Sequence, residues 1–397
     1  MKLRLVNLAI LVFLIVTVCG CFSEAEEISV KTDSSIEVEI KKLKSKVTPE
    51  KNPKNADTSI ESLLKEMTLE EKVGQMMMIG IYGKEMEPAI SELMNNYKVG
   101  GIIFFDRNMD NQEQVKKFSE ELQAVAMNFD KKIPLFIAVD EEGGRVARMK
   151  NGLTPPPSQE EIGLSGDYGW AEKSAENIAK KLHYIGININ FAPVADVGSH
   201  DTRSFSDDAN IVSEFVSRAA QGYENEELFY CLKHFPGIGL AKVDSHQDIS
   251  TIDISKKDLY SFDLLPFKKI IAERDNSKFM VMVGHLKYPA IDPDNAASLS
   301  PSIITGILRN ELNFSGVVIT DDLNMGAVSK YNDIDFASVQ AINAGVDIIL
   351  ICHEYELQKK AREEILNAVR RGEISEDRIN ESVRRILKMK LKLQVYQ

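Results

Sequence analysis

Between Cys231 and Ser250 the chain reads CLKHFPGIGLAKVDSHQDIS. A short apolar run passes directly into Lys233 and His234, and a glycine-rich turn then leads to Asp244 and His246. A carboxylate two residues ahead of a histidine can orient the imidazole and support its cationic form. That pair suits proton transfer. Gly237 and Gly239 also have a plainer explanation, because a strand end followed by a Gly/Pro turn is common and glycine there supplies only backbone freedom.

Such a loop needs a scaffold, and the hydrophobic pattern supplies one. Short runs rich in Val, Ile and Phe recur at 73–81, 99–105, 135–139, 187–194, 228–232, 279–283, 317–320 and 346–351. Amphipathic stretches lie between them at 85–97, 112–129, 170–184, 211–225, 262–273, 301–312 and 335–343. Thr68-Leu69-Glu70-Glu71 fits a capping box, and Ser300-Pro301 fits a helix start. Continuous apolar strands alternating with helices imply a parallel sheet covered on both faces, and eight units imply closure. The expected fold is α/β, a (β/α)8 TIM-type barrel. An open doubly wound sheet is the alternative. From residue 354 onward two more helices, separated by Arg371-Gly372-Glu373, are expected to pack outside the barrel.

In such a barrel chemistry sits at the C-terminal ends of the strands. Asp140 follows the third run, Asp196 the fourth, Lys233 and His234 the fifth, His285 the sixth, Asp321 and Asp322 the seventh, and His353 the eighth. For Asp196, Asp322 and His353 a structural role at the rim is the favoured reading; His285 stands evenly between the two. His183 and His200 read as surface or packing residues. No H-x-H follows the first strand, no H-E-x-x-H occurs, and Lys233 sets a cation beside His234. No metal and no cofactor are expected.

Four motifs then stand in order: VDEEGGRVARM at 139–149, TRSF at 202–205, KHFPGIG with VDSH at 233–246, and ITDDLNMGA at 319–327. With them the chain, from about residue 58 to its end, resembles the β-N-acetylglucosaminidases of glycoside hydrolase family 3. The resemblance implies that Asp321 is the nucleophile, His246 the general acid/base and Asp244 its orienting partner. It also implies that Asp140, Arg148, Arg203, Lys233 and His234 hydrogen-bond a terminal N-acetylglucosamine. The sequence departs from the family at Ile238, where a second histidine is usual, and at Leu240-Ala241, where Asp-Thr is usual. The segment between Asp196 and Arg203 is also shorter than usual. No second domain is expected after the barrel, which points away from the family's β-glucosidase branch.

The front of the chain concerns location. Lys2 and Arg4 precede an apolar run at 8–18, too short for a comfortable membrane span, which ends Val18-Cys19-Gly20-Cys21. It is read as an export signal at 1–21 resembling a bacterial lipobox, with Cys21 the lipidated residue; cleavage near Gly20 without lipidation is the alternative. Residues 22–57, rich in Glu, Lys and Ser, read as a disordered tether ahead of a barrel domain at 58–397. With 60 acidic residues against 48 basic ones, a net charge of −12 and no basic stripe, no nucleic-acid partner is expected. Of four cysteines only Cys231 and Cys352 fall in the folded part, where buried free thiols are expected.

The function expected is an exo-acting retaining enzyme that removes N-acetylglucosamine from muropeptides or related glycans outside the cell membrane, touching membrane only through its anchor. A lipoprotein that binds wall sugars without turnover is the competing class, and a β-glycosidase or phosphorylase of other specificity stays open.

Overall fold

A computed structural model of the chain describes residues 53–148, 155–198, 201–239, 251–326 and 332–393. Strands β1 (Met77–Gly80), β2 (Gly101–Phe104), β3 (Phe136–Val139), β4 (Ile189–Asn190), β5 (Phe229–Phe235) and β6 (Phe279–Val283) pair in parallel in chain order. A small antiparallel pair follows, β7 (Lys287–Tyr288) with β8 (Asp292–Ala296), and then β9 (Val317–Thr320) and β10 (Ile349–Ile351) complete the main sheet. β1 pairs with β2 on one side and β10 on the other. The last gap closes where Ile319 of β9 bridges Ile348, with the Thr320 N–H donating to the Ile348 carbonyl at 3.1 Å. The result is a closed eight-stranded α/β barrel.

Every residue of the eight barrel strands is buried, which is why they read as unbroken apolar runs rather than as alternating ones. All eight expected runs become barrel strands. The first is shorter than expected, because the capping box at Thr68 and Glu71 satisfies the first turn of a helix, Leu69–Gln75, that takes up Val73 before β1 begins. The seven amphipathic stretches form helices between the strands, ending within a few residues of their expected bounds. Ser300 Oγ accepts from the Ile303 N–H ahead of a π-type helix, Ser302–Glu311. A further helix, Pro53–Glu66, starts slightly ahead of residue 58, and its Ile60 and Leu64 are buried in the core.

The tail helices, Tyr355–Arg370 and Glu376–Leu393, lie against the barrel and tie its N-terminal end. Lys390 Nζ, buried, donates to Gln75 Oε1 and to the Gly100 carbonyl, both at 2.7 Å. Asp347, just ahead of β10, gathers Arg309 at 2.6 Å and Arg385 at 2.9 Å, and accepts from Ser382 at 2.7 Å. Those contacts leave the opposite end free to carry loops.

The β7–β8 hairpin has no counterpart in the hydrophobic pattern, since Asp292–Ala296 reads DPDNA. It is held instead by the Asp292 carboxylate, which accepts from the Asn295 N–H at 3.0 Å and from Ser300 Oγ at 2.6 Å. Its use is local to the site. The Ile252 N–H donates to the Lys287 carbonyl at 2.8 Å, so the hairpin fastens the chain where it returns from 240–250.

Candidate active site

β5 ends in Lys233, His234 and Phe235, all buried at the C-terminal mouth of the barrel. Lys233 Nζ lies 2.6 Å from Asp140 Oδ1, just past β3, and 2.6 Å from Glu142 Oε1. Glu142 in turn accepts two parallel bonds from Arg203, Nε to Oε2 and Nη2 to Oε1, each 2.8 Å. The same Nη2 lies 3.4 Å from His234 Nε2. His234 Nδ1 sits 2.8 Å from Asp196 Oδ2, while Asp196 Oδ1 accepts from the backbone N–H groups of His234 and Ile238 at 3.1 and 2.9 Å. At the other end Arg148 Nη2 stands 3.9 Å from Asp140 Oδ2. Seven side chains from three strand ends thus form one connected series, in which Arg148, Asp140, Lys233, Glu142 and Arg203 alternate in charge.

The local sequence explains how these groups reach one another. Gly143 has φ 100°, and a β-carbon there would strike the Pro157 carbonyl; Gly237 has φ 125°, and a β-carbon there would come within 2.7 Å of the Asp263 β-carbon. Only glycine meets both demands. Gln159, buried at the start of helix Gln159–Leu164, donates Nε2 to the carbonyls of Val194 and Arg203 at 2.9 Å and accepts from the Val194 N–H at 2.9 Å. It pins the Arg203 segment to the end of β4.

Asp321 follows β9 directly, and its N–H donates to the Val283 carbonyl at 3.0 Å. Burial alone would raise its carboxyl, but His234, His285, the Asp322 N–H at 2.8 Å and Lys233 hold it below the ordinary value, so it is ionised. Its neighbour behaves oppositely. Burial pushes Asp322 up to about 6, against the Cys352 and Asn324 N–H groups that it accepts from. Burial would raise Glu142 too, yet the charges of Lys233 and Arg203 pull it far below the carboxylate range. Lys233, which burial would lower, is raised by Asp140 and Glu142. Glu142 and Lys233 therefore both stay charged at neutral pH.

These groups line a cavity of about 400 Å³ that opens at the mouth, with Asp140, Arg148, Arg203, Lys233, His234 and Asp321 all on its wall. Six of the expected site residues are thus brought together. Asp244, His246 and Cys21 lie outside the described residues. The anchors of the segment that carries the first two are visible: Ile238 is held by Asp196, Tyr288 Oη donates to the Gly237 carbonyl, and Thr251 bridges Lys287. Among the described residues no group of three or more His, Cys, Asp or Glu side chains is placed to hold a metal ion.

Asp196, expected as a structural rim residue, orients His234 through both its carboxylate oxygens. Glu142, within the DEEGG motif, is the centre of the cluster; its signal in the sequence is a carboxylate two residues past Asp140 and directly before Gly143-Gly144. Asp322 and His285 are structural as placed: His285, buried and lowered by that burial, bonds Ser298 Oγ at 2.8 Å and the Asp322 carbonyl at 3.0 Å. Cys231 and Cys352 are buried free thiols.

Residues 68–389 match the family model described as the glycosyl hydrolase family 3 N terminal domain. The chain belongs to glycosyl hydrolase family 3. Within that family it is 34% identical over 337 residues to a protein named beta-hexosaminidase A from Pseudoalteromonas piscicida, covering 78% of this chain and 56% of that one. It is 34% identical over 288 residues to a beta-hexosaminidase from Haemophilus influenzae, covering 70% and 80%. A solved family 3 beta-N-acetylglucosaminidase from Paenibacillus sp. superposes with a TM-score of 0.80 at 39% identity, over 83% of this chain and 64% of that one. The chain thus spans less than two thirds of two of these three relatives. The described parts of the four family 3 motifs, which do not include VDSH, fall after β3, β4, β5 and β9, around one cavity.

Proposed function

We propose that this chain is an exo-acting, retaining β-N-acetylglucosaminidase that removes terminal N-acetylglucosamine from muropeptides or related glycans, lipidated at Cys21 and held at the outer face of the cell membrane. The observation that carries the activity is the ionised carboxylate of Asp321 facing, across one cavity, a rim of charged and polar side chains from Asp140, Arg148, Arg203, Lys233 and His234. A neutral polyol is best oriented by charged donors and acceptors of this kind. The names of the relatives, beta-hexosaminidase and beta-N-acetylglucosaminidase, support the choice of sugar.

In this reading Asp321 attacks the anomeric carbon, and the glycosidic oxygen leaves with a proton from His246. A glycosyl ester on Asp321 results. Water then attacks the same carbon, His246 takes its proton, and the carboxylate is released. Asp244 keeps the imidazole aligned and supports its cation. The family resemblance of the VDSH segment supports these two roles. Among the described residues no helix is long and apolar enough to cross a membrane; the lipobox-like run at 18–21 supports the anchor.

A chromogenic N-acetylglucosaminide assay tests the reading. Wild-type turnover that is lost in Asp321→Asn is the expected result. A protein that binds N-acetylglucosamine without turning over any glycoside would be a sugar-binding lipoprotein instead. Membrane fractionation of Cys21→Ser tests the anchor, which is wrong if the variant partitions as the native chain does.

A further inference from the structure

Behind the turn that follows β5 stands a carboxyl that does not reach the cavity. Asp263, between the helices Lys256–Ser261 and Leu265–Glu273, is 1% exposed, and among the described residues neither of its oxygens has a hydrogen-bond partner. It packs on Gly237: a β-carbon on that glycine would come within 2.7 Å of the Asp263 β-carbon and 3.0 Å of its Oδ1. The next residue, Ile238, donates its N–H to Asp196 Oδ1 at 2.9 Å, and the same carboxylate holds His234 at its N–H and its ring Nδ1. Two buried carboxyls thus bear on adjacent residues of one turn.

That turn is braced on its other sides as well. The Gly237 N–H donates to the His234 carbonyl at 2.7 Å, and Tyr288 Oη of β7 donates to the Gly237 carbonyl. The titratable groups that face Asp263 are Asp196, beyond β4, and Tyr288, on the hairpin. Burial, then the charges of Asp263 and Asp196, raise the Tyr288 hydroxyl, so both carboxyls lie within electrostatic reach of one phenol. Among the described residues no Lys, Arg or His side chain pairs with Asp263.

We propose that Asp263, while uncharged, is a positioning residue for the mouth: braced beneath Gly237, it fixes the turn that presents His234 to the sugar. The assignment rests on the activity proposed above. An uncharged carboxyl can lie beside the charge of Asp196, but two like charges in a buried setting repel strongly. The turn between them is what gives way. Burial, with the charge of Asp196 adding to it, raises the Asp263 carboxyl to about 7, so it is uncharged below that pH and ionised above it. The mouth is therefore set at mildly acid pH and loosened as pH rises through neutrality.

The test reads kcat/KM on dinitrophenyl N-acetylglucosaminide at pH 6 and pH 8. Its leaving group needs no proton, so the titration of His246 does not shape this profile. The wild type is expected to fall about tenfold between the two, the effect of one proton lost near pH 7. Asp263→Asn, of the same shape and with no proton to lose, is expected to change by less than about twofold over that range; Asp263→Ser, which cannot ionise either, replaces it if the Asn chain does not fold. Near-UV circular dichroism at both pH values separates loosening of the turn from unfolding. Parallel profiles for the wild type and Asp263→Asn, or a wild-type loss that tracks unfolding, would overturn the role of Asp263 and leave the activity standing. A wild-type chain idle on the glycoside at both pH values would overturn the activity itself and this assignment with it.

Discussion

The Glu142 carboxylate receives two parallel bonds of 2.8 Å from Arg203 and, at the same time, Lys233 Nζ at 2.6 Å. One buried anion thus holds two of the cations assigned to the sugar, Arg203 through both of its short bonds and Lys233 jointly with Asp140. Glu142→Gln keeps the size and removes the charge. It is expected to lower kcat/KM on an N-acetylglucosaminide by about a hundredfold and to destabilise the fold by about 3 kcal/mol, as breaking a buried ion pair does. Kinetics and urea unfolding read the two effects. Unchanged values in both would mean that Arg203 and Lys233 hold themselves.

A second prediction concerns pH. Asp263 is buried, among the described residues neither of its oxygens has a hydrogen-bond partner, and burial, with the charge of Asp196 adding to it, raises its carboxyl to about 7. The folded chain keeps a proton there that the unfolded chain has lost, so this group subtracts from stability as pH rises from about 4 to 7. The full cost, on the order of 4 kcal/mol, is present above pH 7. Asp263→Asn should therefore gain stability over the wild type at pH 8 and little at pH 4. Parallel stability curves for the two chains would contradict this.

His246→Ala should lose on the order of 10² to 10⁴ in rate on substrates whose leaving oxygen needs a proton. Dinitrophenyl glycosides, whose leaving group needs none, should be spared in the glycosylation step. Asp244→Asn should fall between, with a lower pKa on the alkaline limb of the profile, where His246 loses the proton it must donate. A penalty that is the same for good and poor leaving groups would remove His246 as the acid.

Selectivity follows from the same rim. N-acetylglucosaminides should be preferred over plain glucosides by several kcal/mol, since a site built to hydrogen-bond a group rejects the analogue that lacks it. Matching kcat/KM values on the two would refute that. The activity should survive EDTA, and a loss reversed by a divalent metal would return the metal reading.

The barrel was legible because strands buried on both faces must be apolar throughout, and each of the eight runs is. The hairpin β7–β8 was not, because side-chain bonds at Asp292 rather than hydrophobic alternation hold it. Within the site, Asp140, Lys233 and Asp321 could be found by their position after a strand. Glu142 and Asp196 could not be assigned that way, because their roles come from what they touch: Arg203, 61 residues away in sequence, and His234, 38 away. Position along one strand carries no information about such partners.

The most direct measurement is mass spectrometry of the intact chain and its peptides, with His246→Ala incubated on dinitrophenyl N-acetylglucosaminide. Loss of the acid/base leaves formation of the glycosyl-enzyme fast and its hydrolysis slow, so the covalent species should accumulate. The account predicts one added N-acetylglucosaminyl group on the peptide that contains Asp321, and none in the Asp321→Asn background. An adduct on another carboxylate, or turnover by Asp321→Asn at the wild-type rate, would contradict it.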